Sequence, residues 1–180
     1  MLLLNHPDVS PDLPADEVEA LLVRGAKANT ILPPDGGSFL ALTAIWGNVG
    51  VARVLLSHGA DPNGNQLRRH VPLSIAVQNA HTEFIDLLLS AGADINVRDS
   101  RGQTGLFTAL TMDKPRGHGV PEQLLRSGID PSIRDKEGRT ALETLEHFTQ
   151  MMSNSPYDHD GGASRVSELN RMRVLIARSL

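Results

Sequence analysis

A cysteine-free chain of 180 residues, 40% hydrophobic and 21% charged, falls in the range of one globular domain that does without disulfides. Its net charge of −4 argues against the broad basic field of a nonspecific nucleic-acid binder. The opening Met1-Leu2-Leu3-Leu4 turns polar at Asn5, too short for a signal peptide or membrane anchor, so a cytoplasmic or nuclear address without nucleic-acid or membrane partners is expected.

In chain order, "NHPDVSPDLP" (Asn5 to Pro14) holds three prolines and no convincing helix. The apolar run of "ALLVRGAKAN" (Ala20 to Asn29) therefore lacks a preceding partner, and residues 1–33 read as a half repeat or cap. "SFLALTAIWGN" follows from Ser38, then Val51, Val54 and Leu55 at helical spacing, closing in "VLLSHGADPN" (Val54 to Asn63). "VPLSIAVQNAH" (Val71 to His81) carries Pro72 where a first-turn proline is tolerated. It has Val71 where a capping hydroxyl is missing, a loss of about 1 kcal/mol. Phe84, Ile85, Leu88 and Leu89 then lead into "LLLSAGADIN" (Leu87 to Asn96). "TGLFTAL" (Thr104 to Leu110) precedes the longer "MDKPRGHG" (Met112 to Gly119) and the run Val120, Leu124, Leu125. "TALETLE" (Thr140 to Glu146) is separated by the polar "MMSNSPYDHDGGAS" (Met151 to Ser164) from a last helix, with Val166, Leu169, Met172, Leu175 and Ile176 along one stripe. Ser38, Thr104 and Thr140 read as helix N-caps, and Gly25, Gly59, Gly92 and Gly128 as left-handed helix closers.

Those glycines are 34, 33 and 36 residues apart. A 33-residue period whose units open on a T-P-L-H-x-A-like phrase resembles the ankyrin repeat, over roughly residues 14 to 148. The resemblance implies an all-α solenoid of stacked helix-turn-helix units with short β-hairpin-like fingers. Residues 34–135 hold three repeats, and 136–180 form a split last repeat, with a flexible loop at 151–164 and a C-terminal capping helix. One unit cannot bury its apolar face alone, so neighbours share one elongated core, built from Leu, Ile, Val and Ala because aromatics are only 3%. The family's first-helix histidine is replaced by Ala41, Ser74, Phe107 and Glu143, so packing is expected to replace the hydrogen bonds it makes. Arg69 stands where later fingers have Gly102 and Gly138, which makes 64–71 the weakest expected seam.

Charge is uneven along the chain. Asp8, Asp12, Asp16, Glu17 and Glu19 face two bases in residues 1–33, whereas Arg165, Arg171, Arg173 and Arg178 face one acid at the other end; solvated helix faces account for this. There is no HExxH, no GxxxxGK[ST], no GxSxG and no cysteine nucleophile. "YDHDGG" (Tyr157 to Gly162) fails the calcium-loop pattern at Gly162. No enzyme activity, metal or cofactor is expected; the competing enzyme reading would centre on His147, Tyr157, Asp158 and His159. Asn29, Asn63 and Asn96 stand where asparaginyl hydroxylases modify some ankyrin proteins, against the simpler reading that each holds its own finger turn.

The resemblance implies a noncatalytic protein-protein interaction module. Its partner would meet late first-helix positions on a concave palm, here Ile45 and Trp46, Gln78 and Asn79, Thr111 and Met112, His147 and Phe148. It would also meet finger tips at Leu67, Arg68 and His70, at Ser100, Arg101 and Gln103, and at Lys136, Glu137 and Arg139. With Arg98 and Arg134, these tips would form a positive stripe suited to a protein segment with acidic residues beside an apolar anchor. A monomer is expected. The alternative is a targeting or regulatory fragment of a larger multidomain protein.

Overall fold

The computed structural model describes residues 10–32, 36–64, 70–111, 119–153 and 161–179. Within them α1 (Ala15–Val23) precedes a hairpin of β1 (Ile31–Leu32) and β2 (Gly37–Ser38). Four pairs follow: α2 (Phe39–Trp46) with α3 (Val49–Ser57), α4 (Pro72–Gln78) with α5 (Thr82–Ser90), α6 (Gly105–Thr111) with α7 (Val120–Arg126), and α8 (Ala141–Ser153) with α9 (Gly161–Ser179).

The caps show why the helices start where they do. The Ser38 hydroxyl accepts from the Ala41 N–H at 3.1 Å, and the Asn48 side-chain carbonyl from the Val51 N–H at 3.0 Å. Thr140 and Glu143 form a reciprocal capping box, the Thr140 N–H donating to Glu143 Oε2 at 2.8 Å and the Glu143 N–H to Thr140 Oγ1 at 3.2 Å. Thr104 departs from expectation: its hydroxyl is buried and has no partner, so it caps nothing. Val71 supplies no cap, as expected, yet is 4% exposed and packs in the core, which offsets the loss. Gly25, Gly59, Gly92 and Gly128 all take positive φ, from 82° to 96°, just past their helices.

First helices stack on first helices in the order α2, α4, α6, α8, and second helices form a parallel row in which α1 packs on α3 and α3 on α5. Gln123 of α7 reaches back to α5, donating to the Thr82 carbonyl at 2.9 Å and to Asp86 at 2.7 Å. The closing helix α9 packs on both α8 and α7, taking the second-helix place in the last pair. One core runs through the stack. Its centre is more aromatic than composition suggests, since Phe39, Phe84 and Phe107 are among the largest fully buried side chains. At Gly105 a Cβ would lie 3.4 Å from Val77 Cγ2, an approach that lets α6 settle on α4.

Two details at the C-terminus correct the sequence reading. Residues 151–153 are the last turn of α8 and 161–164 begin α9, so helix takes both ends of the expected 151–164 loop. Val166 is 44% exposed, while Leu169, Met172 and Ile176 are buried against the stack.

Candidate protein-binding face

Stacking of the first helices brings their late positions side by side. Ile45, 49% exposed, and half-buried Trp46 end α2. The turn after them is closed by Gly47 at φ 70°, where a Cβ would fall 2.8 Å from His81 Cε1. Gln78 and Asn79 are exposed at the end of α4, with the Asn79 amide turned back to the Ile75 carbonyl at 2.9 Å. Thr111 is exposed at the end of α6, its hydroxyl donating to the Phe107 carbonyl at 2.9 Å. Met112 lies outside the described residues. His147 and Phe148 are exposed on α8, but mid-helix, because α8 is 13 residues long. Met151, one turn on and 61% exposed, extends the same helix; the loop reading of its segment misses it.

The fingers are built by aspartates. Asp99 Oδ1 accepts from the N–H groups of Arg101 and Gln103, and Asp135 Oδ1 from those of Glu137 and Arg139. Adjacent fingers are tied together: Lys136 N–H donates to the Arg101 carbonyl at 3.0 Å, and the Gln103 amide to Asp135 Oδ2 at 3.3 Å. Burial pushes the Asp135 carboxyl up, but the Arg139 N–H, the Gln103 amide and the Arg139 charge outweigh it and hold it below its ordinary value. Glu143 is likewise held low, by the Thr140 N–H against some burial and then by Arg134.

This construction consumes most of the expected positive stripe. Arg101 pairs with Asp99 at 3.1 Å and Arg134 with Glu143 at 2.9 Å. Arg139 lies 4.0 Å from both Asp135 and Glu137. Arg98 donates to the carbonyls of Gly102 and Arg134. Gln103 is spent on the next finger, and Ser100 is exposed. Lys136 has no carboxylate partner among the described residues. His70 packs its ring 3.4 Å from the Cβ position of Gly37, on the first finger. Leu67, Arg68 and Arg69 lie outside the described residues.

The asparagines hold not their own turns but the next repeat. Asn29 Oδ1 accepts from the Asp61 N–H at 2.7 Å, and its amide donates to the Gly59 carbonyl at 3.0 Å. Asn63 accepts from the Asp94 N–H at 2.7 Å, and Asn96 from the Asp130 N–H at 2.8 Å. The turns themselves are held by Asp61, Asp94 and Asp130, each accepting from the N–H two residues on. The missing family histidine therefore does not leave packing alone to join the repeats. No periodicity of apolar residues reports this ladder; the recurring G-A-D-x-N phrase was its available signal.

On the second-helix side, a shallow open cleft of about 400 Å³ is lined by Thr82, Asp86, Gly119, Gln123, Arg126 and Ser127, away from every predicted site residue. Among the described residues no cluster of three His, Asp or Glu could hold a metal, and no helix is long and apolar enough to cross a membrane. Tyr157, Asp158 and His159 lie outside the described residues.

Two rows of paired helices with hairpin fingers define an ankyrin-type solenoid. Residues 13–99 match the family model described as ankyrin repeats, in three copies, and this part of the chain is an ankyrin-repeat array. It is similar to Rabankyrin-5 of Mus musculus, 35% identical over 78 residues, which is 43% of this chain and 7% of that protein. Ankyrin repeat and KH domain-containing protein 1 of Homo sapiens is 38% identical over 96 residues, 50% of this chain and 4% of its own length. Ankyrin repeat-containing protein P1E11.10 of Schizosaccharomyces pombe is 36% identical over 61 residues, 32% of this chain and 30% of its own length. The chain thus spans only a small part of these relatives.

Proposed function

We propose that the chain is a noncatalytic module that binds another protein along its concave first-helix face and finger tips. Ankyrin repeats are protein-interaction modules. The observation that carries the finer reading is the row of exposed first-helix side chains. Ile45, Gln78, Thr111, His147 and Phe148 stay accessible on successively stacked helices, beside the half-buried tryptophan of α2. Apolar anchors at Ile45 with Trp46 and at Phe148 with Met151 bracket a polar middle, a distribution suited to a partner segment whose apolar residues seat at the ends. Lys136 and His70 would meet its acidic residues, a weaker electrostatic contribution than the sequence suggested.

The test is affinity capture from native extract with wild-type protein and an Ile45→Asp, Trp46→Ala variant of unchanged circular dichroism. Loss of a specific partner on the variant supports the site, and equal capture by both refutes it. A second reading, a targeting or regulatory segment of a larger multidomain protein, is favoured by the small share of each relative that the chain spans. The mass of the native protein detected in cells with an antibody to the repeats decides it.

A further inference from the structure

The binding face leaves unused the opposite charges of the two ends of the chain. Among the described residues the second-helix row runs from α1 to α9, and packing within the row is made by α1 on α3 and by α9 on α7, each from one side. In α1, Val18 and Leu22 point into the core, which leaves Asp16, Ala20 and Val23 on the opposite face with Glu19 beside them. Val23 is 74% exposed. In α9, the buried Leu169, Met172 and Ile176 leave Asn170, Val174 and Arg178 outward, with Val174 51% exposed. Neither Glu19 nor Arg178 has a partner among the described residues. Each helix thus presents an isolated valine with a charge four residues away, acidic on α1 and basic on α9.

We propose that a second copy of this chain docks its α1 on α9, antiparallel, with Val23 against Val174. Four residues of helix span about 6 Å in either direction, so this register sets Glu19 opposite Arg178. A parallel arrangement would set Glu19 opposite Asn170 and waste the charge. Arg24, beside Val23, comes near Arg173 in the antiparallel register, whose charge Glu146 already neutralises at 2.6 Å. Each contact leaves one α1 and one α9 unoccupied, so the association is heterologous and continues by head-to-tail addition. A single helix pair buries less than a standard interface, so the binding is weak and salt-sensitive.

Sedimentation velocity of the full chain over a concentration series tests this, with wild type, Glu19→Lys, Arg178→Glu and an equimolar mixture of the two variants. Both substituted positions are exposed, and circular dichroism confirms folding. The expected result is a mass that rises with concentration for wild type and association about five-fold or more weaker in each variant alone. It returns in the mixture, where the introduced lysine of one variant meets the introduced glutamate of the other and the native pair forms at the second contact. A wild type that stays monomeric overturns the proposal, as does failure of the mixture to recover. Association indifferent to Glu19→Lys but lost on Val174→Asp would also overturn it, by assigning the contact to two α9 helices.

Discussion

Replacing Asp135 by alanine isolates what the fingers contribute to the stack. Its side chain is shielded from solvent and accepts from the Glu137 N–H at 3.0 Å and the Arg139 N–H at 2.9 Å, while Oδ2 takes the Gln103 amide of the neighbouring finger at 3.3 Å. Alanine strips the acceptor from two backbone donors and one side-chain donor. An unsatisfied buried donor costs about 1–3 kcal/mol; here the donors lie near a surface turn and water reaches them in part, so the total loss should be about 2 kcal/mol. Urea unfolding at pH 7 measures it. The acid dependence supplies a second check. Because the carboxyl is held below its ordinary value, its stabilisation is complete above about pH 4, the ordinary carboxylate range, and is lost as pH falls through the lower folded value. The gap between wild type and Asp135→Ala should therefore narrow from pH 7 toward pH 3. A loss below about 0.5 kcal/mol at pH 7, or a gap that does not change with pH, would refute the account.

The ladder predicts that Asn63→Ala removes the 2.7 Å bond to Asp94 and costs about 1 kcal/mol, a fall in melting temperature of about 2–4 °C by calorimetry; an unchanged melting temperature would show that water replaces the bond at no loss. Thr104→Val deletes a buried hydroxyl without a partner and should leave urea stability unchanged or raise it by about 1 kcal/mol, whereas a clear loss would reveal a bonded hydroxyl. Gly47→Ala and Gly59→Ala share a left-handed backbone, but only at Gly47 does the added Cβ strike His81, at 2.8 Å. Each should lose about 1 kcal/mol for the backbone, with a further loss at Gly47 alone; equal losses in thermal unfolding would mean that the imidazole yields freely.

Sequence alone determined the repeating unit, because it depends on nearby residues. Caps at Ser38 and Thr140, the proline at Pro72 and the closing glycines act within a turn of helix, and their recurrence sets the period. The helix-end positions of α2 and α4 also followed by register, whereas α8 runs on past His147 and Phe148. What joins one repeat to the next was decided only by the tertiary structure. Asn29 meets Asp61, Asn63 meets Asp94 and Arg98 meets Arg134 across 31 to 36 residues, and a side chain's own neighbours do not reveal which of two equally near turns it bonds. The finger arginines met carboxylates close in sequence, Arg101 with Asp99 and Arg139 with Asp135, while Arg98 reaches the next finger at the Arg134 carbonyl. Thr104, which looked like a cap, was left without a partner by the burial around it. The orientation of α9, with Val174 and Arg178 outward, followed from which of its faces α8 and α7 could cover.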